Sequence, residues 1–226
     1  METPQRISIE VGAGEHVSAL LQSPLAARSC VVLAHGAGAG MEHPFMATIA
    51  RGLADRGIAS LRYQFPYMER GSKRPDAPKL AHAAVRAAVA EAARRLPGLV
   101  LVAGGKSFGG RMTSQAQAIA PLDKVIGLVF LGFPLHPPSK PSLARAEHLD
   151  AVDLPMLFLQ GTRDELADPA LVQGVGARLG ARATLIMFDD ADHSFHVRAR
   201  SGRTDAQVLA ELLDALAGWI GKLTSS

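Results

Sequence analysis

A serine flanked by glycines follows an apolar run in the middle of the chain. Residues 99–104 read Leu-Val-Leu-Val-Ala-Gly and lead into Gly105-Lys106-Ser107-Phe108-Gly109. The apolar run predicts a buried strand, and the residues after Phe108 are typical of the beginning of a helix. Ser107 would then occupy a sharp corner, where the backbone is strained and the positions two before and two after leave no space for a Cβ atom. Glycines occupy both positions, so the pattern predicts a nucleophilic serine with the backbone N–H of Phe108 beside it.

The same residues partly resemble a phosphate-binding loop. Gly105-Lys106-Ser107 matches the end of a P-loop, but that motif needs a glycine five residues before Gly105, where this sequence has Val100. The predicted strand would also run through the loop that has to cradle phosphate. The sequence therefore disfavours a nucleotide site here.

A serine hydroxyl is a weak nucleophile and needs a nearby base, which a third group must orient. His193 follows the last predicted strand, where a loop can bring an imidazole over the edge of the sheet, and we predict that it is the base. Asp164 follows the penultimate strand, and the order serine, acid, histidine favours it as the orienting acid. His35 and His136 also follow strands, but both precede the acid. Asp192 adjoins His193 and would point away from it in an extended loop.

An oxyanion that forms on the substrate needs two fixed donors, and the Phe108 N–H is one candidate. The second is predicted in the loop His35-Gly36-Ala37-Gly38-Ala39-Gly40, where small residues let backbone N–H groups approach a ligand, and Ala37 is the favoured donor. This loop does not fit a dinucleotide fingerprint, which would require glycine at the position of Met41. A tight turn without a ligand is the alternative interpretation.

Alternating strand and helix patterns must position these residues. The predicted strands are residues 6–11, 17–22, 29–35, 59–65, 99–104, 125–131, 155–160 and 184–188, and the predicted helices are residues 44–56, 79–96, 168–179 and 204–223, with a further helix beginning after Phe108. The first two strands favour an edge hairpin, and the rest predict an α/β fold with a doubly wound, mainly parallel sheet and helices on both faces. Every candidate residue then falls at the carboxyl end of a strand, where such sheets bind ligands.

Composition limits the classes of protein to be considered. The 226 residues are 48% apolar with a formal net charge of +3, which suits one globular domain over residues 1–226. Cys30 is the only cysteine, so neither an internal disulfide nor a cysteine metal cluster is expected. Neither a signal peptide nor an apolar run long enough to cross a bilayer is evident, which favours a cytoplasmic protein without membrane or nucleic-acid partners. The basic patch Arg198, Arg200 and Arg203 predicts a solvated loop or a contact with an anionic substrate group.

Taken together, the motifs resemble serine-type α/β-hydrolases over nearly the whole chain. Within that superfamily the sequence is similar to the small, uncapped dienelactone-hydrolase-like group, and to a family of predicted hydrolases related to a subunit of the NSL complex. The narrower likeness rests on residues 62–67 (Arg-Tyr-Gln-Phe-Pro-Tyr), 104–111 (Gly-Gly-Lys-Ser-Phe-Gly-Gly-Arg) and 131–138 (Leu-Gly-Phe-Pro-Leu-His-Pro-Pro). Dienelactone hydrolases carry a cysteine where this chain has Ser107, so their lactone chemistry does not transfer. The resemblance implies an α/β-hydrolase fold and hydrolysis without naming the substrate.

The segment from Pro137 to Leu154 is too short for a cap domain, so we expect an open site. Ser107, Asp164 and His193 would cleave a small ester-like bond, a carboxylic ester or a thioester, through an acyl-enzyme, without a metal or cofactor. Tyr67, Phe133 and His136 are predicted to line the pocket for a small-molecule acyl substrate, although core packing would suit each equally. A peptidase or thioesterase with the same residues, a non-catalytic interaction module, and a metal hydrolase using His193 and His196 are the alternatives.

Overall fold

An eight-stranded sheet forms the centre of the molecule. The computed structural model describes residues 3–12 and 14–225. The strands are β1 (Gln5–Gly12), β2 (Glu15–Gln22), β3 (Ser29–Ala34), β4 (Ala59–Tyr63), β5 (Val100–Lys106), β6 (Val125–Leu131), β7 (Met156–Gly161) and β8 (Ala183–Phe188). They lie in the order β1-β2-β4-β3-β5-β6-β7-β8, with β1–β2 and β2–β4 antiparallel and the remaining pairs parallel. The predicted edge hairpin and mainly parallel sheet are confirmed.

Helices connect the strands and cover both faces of the sheet. They are α1 (Pro44–Ala54), α2 (Pro66–Glu69), α3 (Pro78–Arg95), α4 (Phe108–Ile119), α5 (Pro169–Leu179) and α6 (Asp205–Thr224), with 3-10 helices at Ala144–Ala151, Gly180–Arg182 and Ala199–Ser201. Four of the six α-helices begin with proline, whose missing N–H costs nothing in the first turn. Helix α6 begins with a capping box between Thr204 and Gln207, as their spacing predicts.

The sheet separates two hydrophobic cores. Alternate residues of β3 contribute to opposite cores, with Cys30 and Val32 on the side of α3, α4 and α5, and Val31 on the side of α1 and α6. Helices α1 and α6 pack closely, since a Cβ atom at Gly52 would lie 2.1 Å from Cδ1 of Leu213. Both faces are therefore buried, which explains why the central strands are apolar throughout.

Three local differences from the sequence-based expectation lie near the candidate site. Strand β5 continues through Lys106, so that Ser107 follows the strand directly. Strand β4 ends at Tyr63, since the Phe65 N–H donates to His35 and Pro66 begins the short helix α2. The connection from β6 to β7, which was expected to be too short for a cap domain, contains a 3-10 helix, Ala144–Ala151, that the sequence did not indicate. Among the helices of the described residues, none has the length and apolar character needed to cross a bilayer.

Candidate active site

Ser107 stands at a strained corner between β5 and α4. Its φ of 51° and ψ of −115° place a non-glycine residue in a region that L-residues rarely adopt. A Cβ atom at Gly105 would lie 2.1 Å from the carbonyl oxygen of Ala34, and one at Gly109 would lie 2.5 Å from the same oxygen. The two glycines therefore let β3 approach the corner closely, and the Ser107 N–H donates to the Leu131 carbonyl at 3.2 Å. Neighbouring strands on both sides hold the corner in place.

His193 and Asp164 form a hydrogen-bonded pair beside this corner. Nδ1 of His193 lies 2.7 Å from Oδ2 of Asp164. The Asp164 side chain is fully buried, whereas the imidazole is 26% exposed. With Nδ1–H donating to the carboxylate, Nε2 is the ring nitrogen that can accept a proton from a reacting group. The pair has the arrangement that a general base and its orienting acid require.

Gln160 on β7 completes the surroundings of the carboxylate. Its Nε2 donates to Oδ2 of Asp164 at 2.5 Å, and its Oε1 accepts the Phe133 N–H at 2.9 Å. The Leu166 N–H donates to the other carboxylate oxygen at 2.9 Å. Both oxygens of Asp164 therefore have fixed donors, which keeps the buried carboxylate from being left unpaired. The signal for Gln160 in the sequence was a polar residue that ends the otherwise apolar run Leu157-Phe158-Leu159.

Lys106, the residue before the serine, reaches towards the histidine loop. Its Nζ donates to the backbone carbonyl of His193 at 2.5 Å. The ammonium also lies 5.9 Å from the ring centre of Phe45 and 5.7 Å from that of Phe195, within range of cation–π attraction. The lysine therefore ties the loop that carries the imidazole to the strand that carries the nucleophile.

The position of this lysine is electrostatically costly. Burial lowers the pKa of Lys106 to about 8, although the carboxylates of Asp164 and Asp192 act in the opposite direction. Gly132, with φ of 72°, faces the ammonium, and a Cβ atom there would lie 2.9 Å from Nζ. In the sequence Lys106 stands out only as part of a partial phosphate-loop pattern, and no local signal indicates its contact with the His193 loop.

His35 supports the small-residue loop after β3. Its Nδ1–H donates to the Gly36 carbonyl at 2.8 Å, and its Nε2 accepts the Phe65 N–H at 3.0 Å. Burial lowers the pKa of His35 to about 4, so the imidazole is neutral at pH 7 and can fill both roles. The loop leaves Ala37 exposed next to Ser107. Phe108 is the first residue of α4, so its N–H has no acceptor within the helix.

Two depressions meet at Ser107. A cavity of about 410 Å³ contains both Ser107 and His193 and is lined by Gly36, Ala37, Ala39, His43, Phe45, Met46, Lys106, Ser107, Leu166, His193 and Ser194. A groove of about 290 Å³ lies on the α4 side of the serine and is lined by Ala37, Ser107, Phe108, Arg111, Pro134, Pro137, Pro138, Arg145 and Leu166. Ser107, His193 and the two backbone donor candidates are thus brought to one open site.

The structure does not bring the three predicted pocket residues to either wall. Tyr67 is 1% exposed, and its hydroxyl accepts the Gly38 N–H at 3.1 Å, so it braces the loop that carries Ala37. Phe133 is equally buried, and its ring centre lies 5.1 Å from that of Phe130 in the core. Both positions follow strand ends, but their side chains turn inward.

His136 is also buried and has partners on both ring nitrogens. Nδ1–H donates to the Pro137 carbonyl at 2.9 Å, and Nε2 accepts the Asp168 N–H at 3.0 Å. The imidazole therefore joins the loop after β6 to the beginning of α5. Its hydrogen bonds leave no ring nitrogen for a substrate in this arrangement.

Two of the three arginines in the predicted basic patch have acidic partners within the described part of the chain. Arg198 forms an ion pair with Asp190, and Arg203 forms one with Glu211. His196 pairs with an acidic residue too, with its Nδ1 2.8 Å from Oδ2 of Asp205. These contacts hold the loop between β8 and α6 together.

Comparison with known proteins agrees with this architecture. The chain is similar in structure to a dienelactone hydrolase from Anabaena variabilis, with 21% identity over 98% of this chain and 99% of that one and a TM-score of 0.76. It is also similar to a lidless α/β serine hydrolase from Xanthomonas campestris, with 20% identity, 96% and 94% coverage and a TM-score of 0.74. An esterase domain from Rhodothermus marinus shares 17% identity over 96% and 98% of the two chains, with a TM-score of 0.72.

At these identities the likeness concerns the fold, an uncapped sheet with helices on both faces. The sequence itself carries the family assignment, because the model of the alpha/beta hydrolase domain matches residues 27–221, most of the chain. The chain belongs to the alpha/beta hydrolase domain family.

Proposed function

We propose that this protein is a serine hydrolase that cleaves small ester-like bonds through an acyl-enzyme. The observation that carries the proposal is the strained Ser107 corner, which opens into the same cavity as His193 while Asp164 engages the far side of that imidazole. This arrangement supplies a nucleophile, a base and an orienting acid within one open site.

In the acylation step Nε2 of His193 takes the proton of the Ser107 hydroxyl while Oγ forms a bond to the substrate carbonyl carbon. The carbonyl π electrons move to the oxygen, and the N–H groups of Ala37 and Phe108 stabilise the resulting oxyanion. The bond to the leaving oxygen or sulfur then breaks, and the imidazolium returns its proton to that atom. Ser107 is left as an ester of the acid portion.

Deacylation repeats the sequence with water. His193 removes a proton from the water as its oxygen attacks the acyl carbon, and the bond to Oγ breaks when the imidazolium protonates Ser107. Asp164 keeps Nδ1 protonated throughout and stabilises the imidazolium in both steps. Because Gln160 and the Leu166 N–H hold the carboxylate, the imidazole keeps one orientation through the cycle.

A fluorophosphonate probe tests whether Ser107 is nucleophilic, because an activated serine displaces fluoride and gains the phosphonyl mass. The wild type and Ser194→Ala should be labelled, whereas Ser107→Ala should not. Ser194 is the matched control because it is the other serine of the described cavity wall. Labelling of Ser107→Ala at the wild-type rate would refute the proposed nucleophile.

Steady-state assays with p-nitrophenyl esters, and with thioesters of the same acyl chains, test the reaction itself. Ser107→Ala and His193→Ala should each lower kcat by roughly 10⁶-fold and Asp164→Ala by roughly 10⁴-fold, as expected where nucleophile and base act as one unit. Equal, measurable turnover by wild type and Ser107→Ala would contradict the proposed nucleophile, whereas no turnover of any of these esters or thioesters by the wild type would favour a binding module.

A further inference from the structure

The groove on the α4 side of Ser107 differs in charge from the cavity that holds His193. Arg111, one turn into α4, and Arg145, in the 3-10 helix Ala144–Ala151, both line it together with Ser107. Three prolines and Phe108 form most of the remaining wall. Two cationic side chains therefore share a small groove with the proposed nucleophile.

Arg111 is partly buried beside the ring of Phe108. Its Nε is inaccessible to solvent and has no hydrogen-bond partner within the described residues, and its guanidinium carbon lies 6.0 Å from the Phe108 ring centre. Burial lowers the pKa of Arg111, and the charge of Arg145 lowers it further. A buried donor without an acceptor is destabilising, and a bound acceptor at this position would relieve that cost.

The positive charge of Arg111 also acts on a neighbouring histidine. His148 lies nearby, and its pKa is lowered to about 4 by burial and then by the charges of Arg111 and His82. No ion pair forms at Arg111 or Arg145 among residues 3–12 and 14–225, whereas most other partly buried arginines there contact a carboxylate or backbone carbonyls. The excess positive charge is thus localised at the groove.

We infer that this groove is an anion subsite in which Arg111 and Arg145 bind a carboxylate carried by the acid portion of the substrate. This inference rests on the proposed function and narrows its substrate class to acyl groups with a negatively charged end. Guanidinium groups match the planar carboxylate geometry, and two of them beside one groove can neutralise and orient it.

The assignment to the acid portion follows from proton delivery. The leaving oxygen must lie near His193 to receive its proton, and of the two described depressions the larger cavity is the one that His193 lines. The acyl chain therefore extends to the other side of Ser107, past Phe108 and into the groove with the arginines. An anionic group on the alcohol portion would lie in the cavity instead.

The test compares p-nitrophenyl hydrogen adipate with its methyl ester, p-nitrophenyl methyl adipate, which has the same acyl chain without the charge. Wild-type enzyme should show a kcat/KM at least about tenfold higher for the carboxylate. Arg111→Gln and Arg145→Gln should each lower kcat/KM for the carboxylate by about 10- to 100-fold, mainly through KM, and leave the methyl ester within about twofold. Arg200→Gln removes an exposed arginine outside the groove and should change neither substrate.

Each alternative result has a distinct meaning. Equal hydrolysis of both adipates by wild type, or an equal loss on both in the groove variants, would overturn the anion subsite and leave the proposed function intact. Hydrolysis of neither ester would overturn the proposed function itself. If the hexanoyl ester of 4-hydroxybenzoate, whose carboxylate is on the alcohol portion, were the substrate that depends on the arginines, the assignment to the acid portion would be wrong. Arg145→Gln keeps the test valid if Arg111→Gln fails to fold, because Arg145 lies in a surface 3-10 helix.

Discussion

Replacing Lys106 by methionine should raise the free energy of unfolding, relative to wild type, by more at neutral pH than at alkaline pH. The ammonium is enclosed by Phe45, Phe195 and the His193 loop, and its pKa is lowered to about 8 by burial. The unfolded chain keeps the ordinary value of 10.5 and so binds the proton more strongly. Stability of the wild type should therefore rise with pH between about 8 and 10.5, and methionine removes that dependence.

The size of the effect follows from the two pKa values. At pH 7 Lys106 is charged in both states, and the fall in pKa corresponds to a penalty of about 3 kcal/mol. At pH 9 the folded protein has released most of the proton, and the penalty falls to about 2 kcal/mol. Wild type should therefore gain about 1.3 kcal/mol over Lys106→Met between pH 7 and pH 9. The hydrogen bond to the His193 carbonyl contributes mainly an offset common to both pH values.

Urea unfolding of both proteins at pH 7 and pH 9 measures how the gap in free energy of unfolding between wild type and Lys106→Met changes with pH. Lys79→Met, which removes an exposed lysine at the start of α3, is the matched control and should show no comparable change. A gap between wild type and Lys106→Met that stays constant within about 0.5 kcal/mol from pH 7 to pH 9 would refute the claim that burial penalises this charge.

Three further predictions concern the packing and hydrogen bonds behind the site. Gly104→Ala should lower the free energy of unfolding by more than about 3 kcal/mol, since its Cβ would lie 1.9 Å from a carbonyl oxygen of β6. Gly218→Ala, on the exposed side of α6, is the control and should raise the free energy of unfolding by about 0.5–1 kcal/mol; urea unfolding of both variants compares the two effects. Gln160→Leu should lower the free energy of unfolding by about 3 kcal/mol and kcat in the p-nitrophenyl ester assay at least tenfold, because it removes a donor to the buried Asp164. An unchanged kcat would show that this donor is dispensable. Burial lowers the pKa of His148 to about 4, so between pH 4 and pH 6.5 the unfolded chain binds the proton more strongly, and stability should fall as the pH is lowered from 6.5 to 4. His148→Gln should reduce this loss by up to about 3 kcal/mol, and equal slopes in acid-unfolding curves would contradict the prediction.

The fold could be predicted from the sequence because its signals are local and consistent. Solidly apolar strands alternate with helices that begin at proline or at a capping box, and such units admit few arrangements other than a parallel sheet covered on both faces. The prediction for β4 extends two residues beyond its end at Tyr63, because an apolar run with aromatic residues also suits a strand. The hydrogen bond from the Phe65 N–H to His35 shows that this residue is outside the strand, and His35 is distant in sequence.

For the candidate site too, the sequence predicts the residues that local signals mark and not those whose position depends on packing. Chain order and strand ends pointed to Asp164 and His193, and the structure has these two side chains in contact. The sequence could not show that three residues face the interior, because residue type near a strand end does not determine which way a side chain faces. These residues are Tyr67, Phe133 and His136.

The charged and polar groups behind the site depend on contacts between distant segments. Lys106 contacts the His193 loop 87 residues away, and Arg111 and Arg145 share a groove only because α4 packs against the segment after β6. Backbone motifs therefore set out where the chemistry can occur, whereas substrate choice and the balance of buried charge arise from the tertiary packing around them.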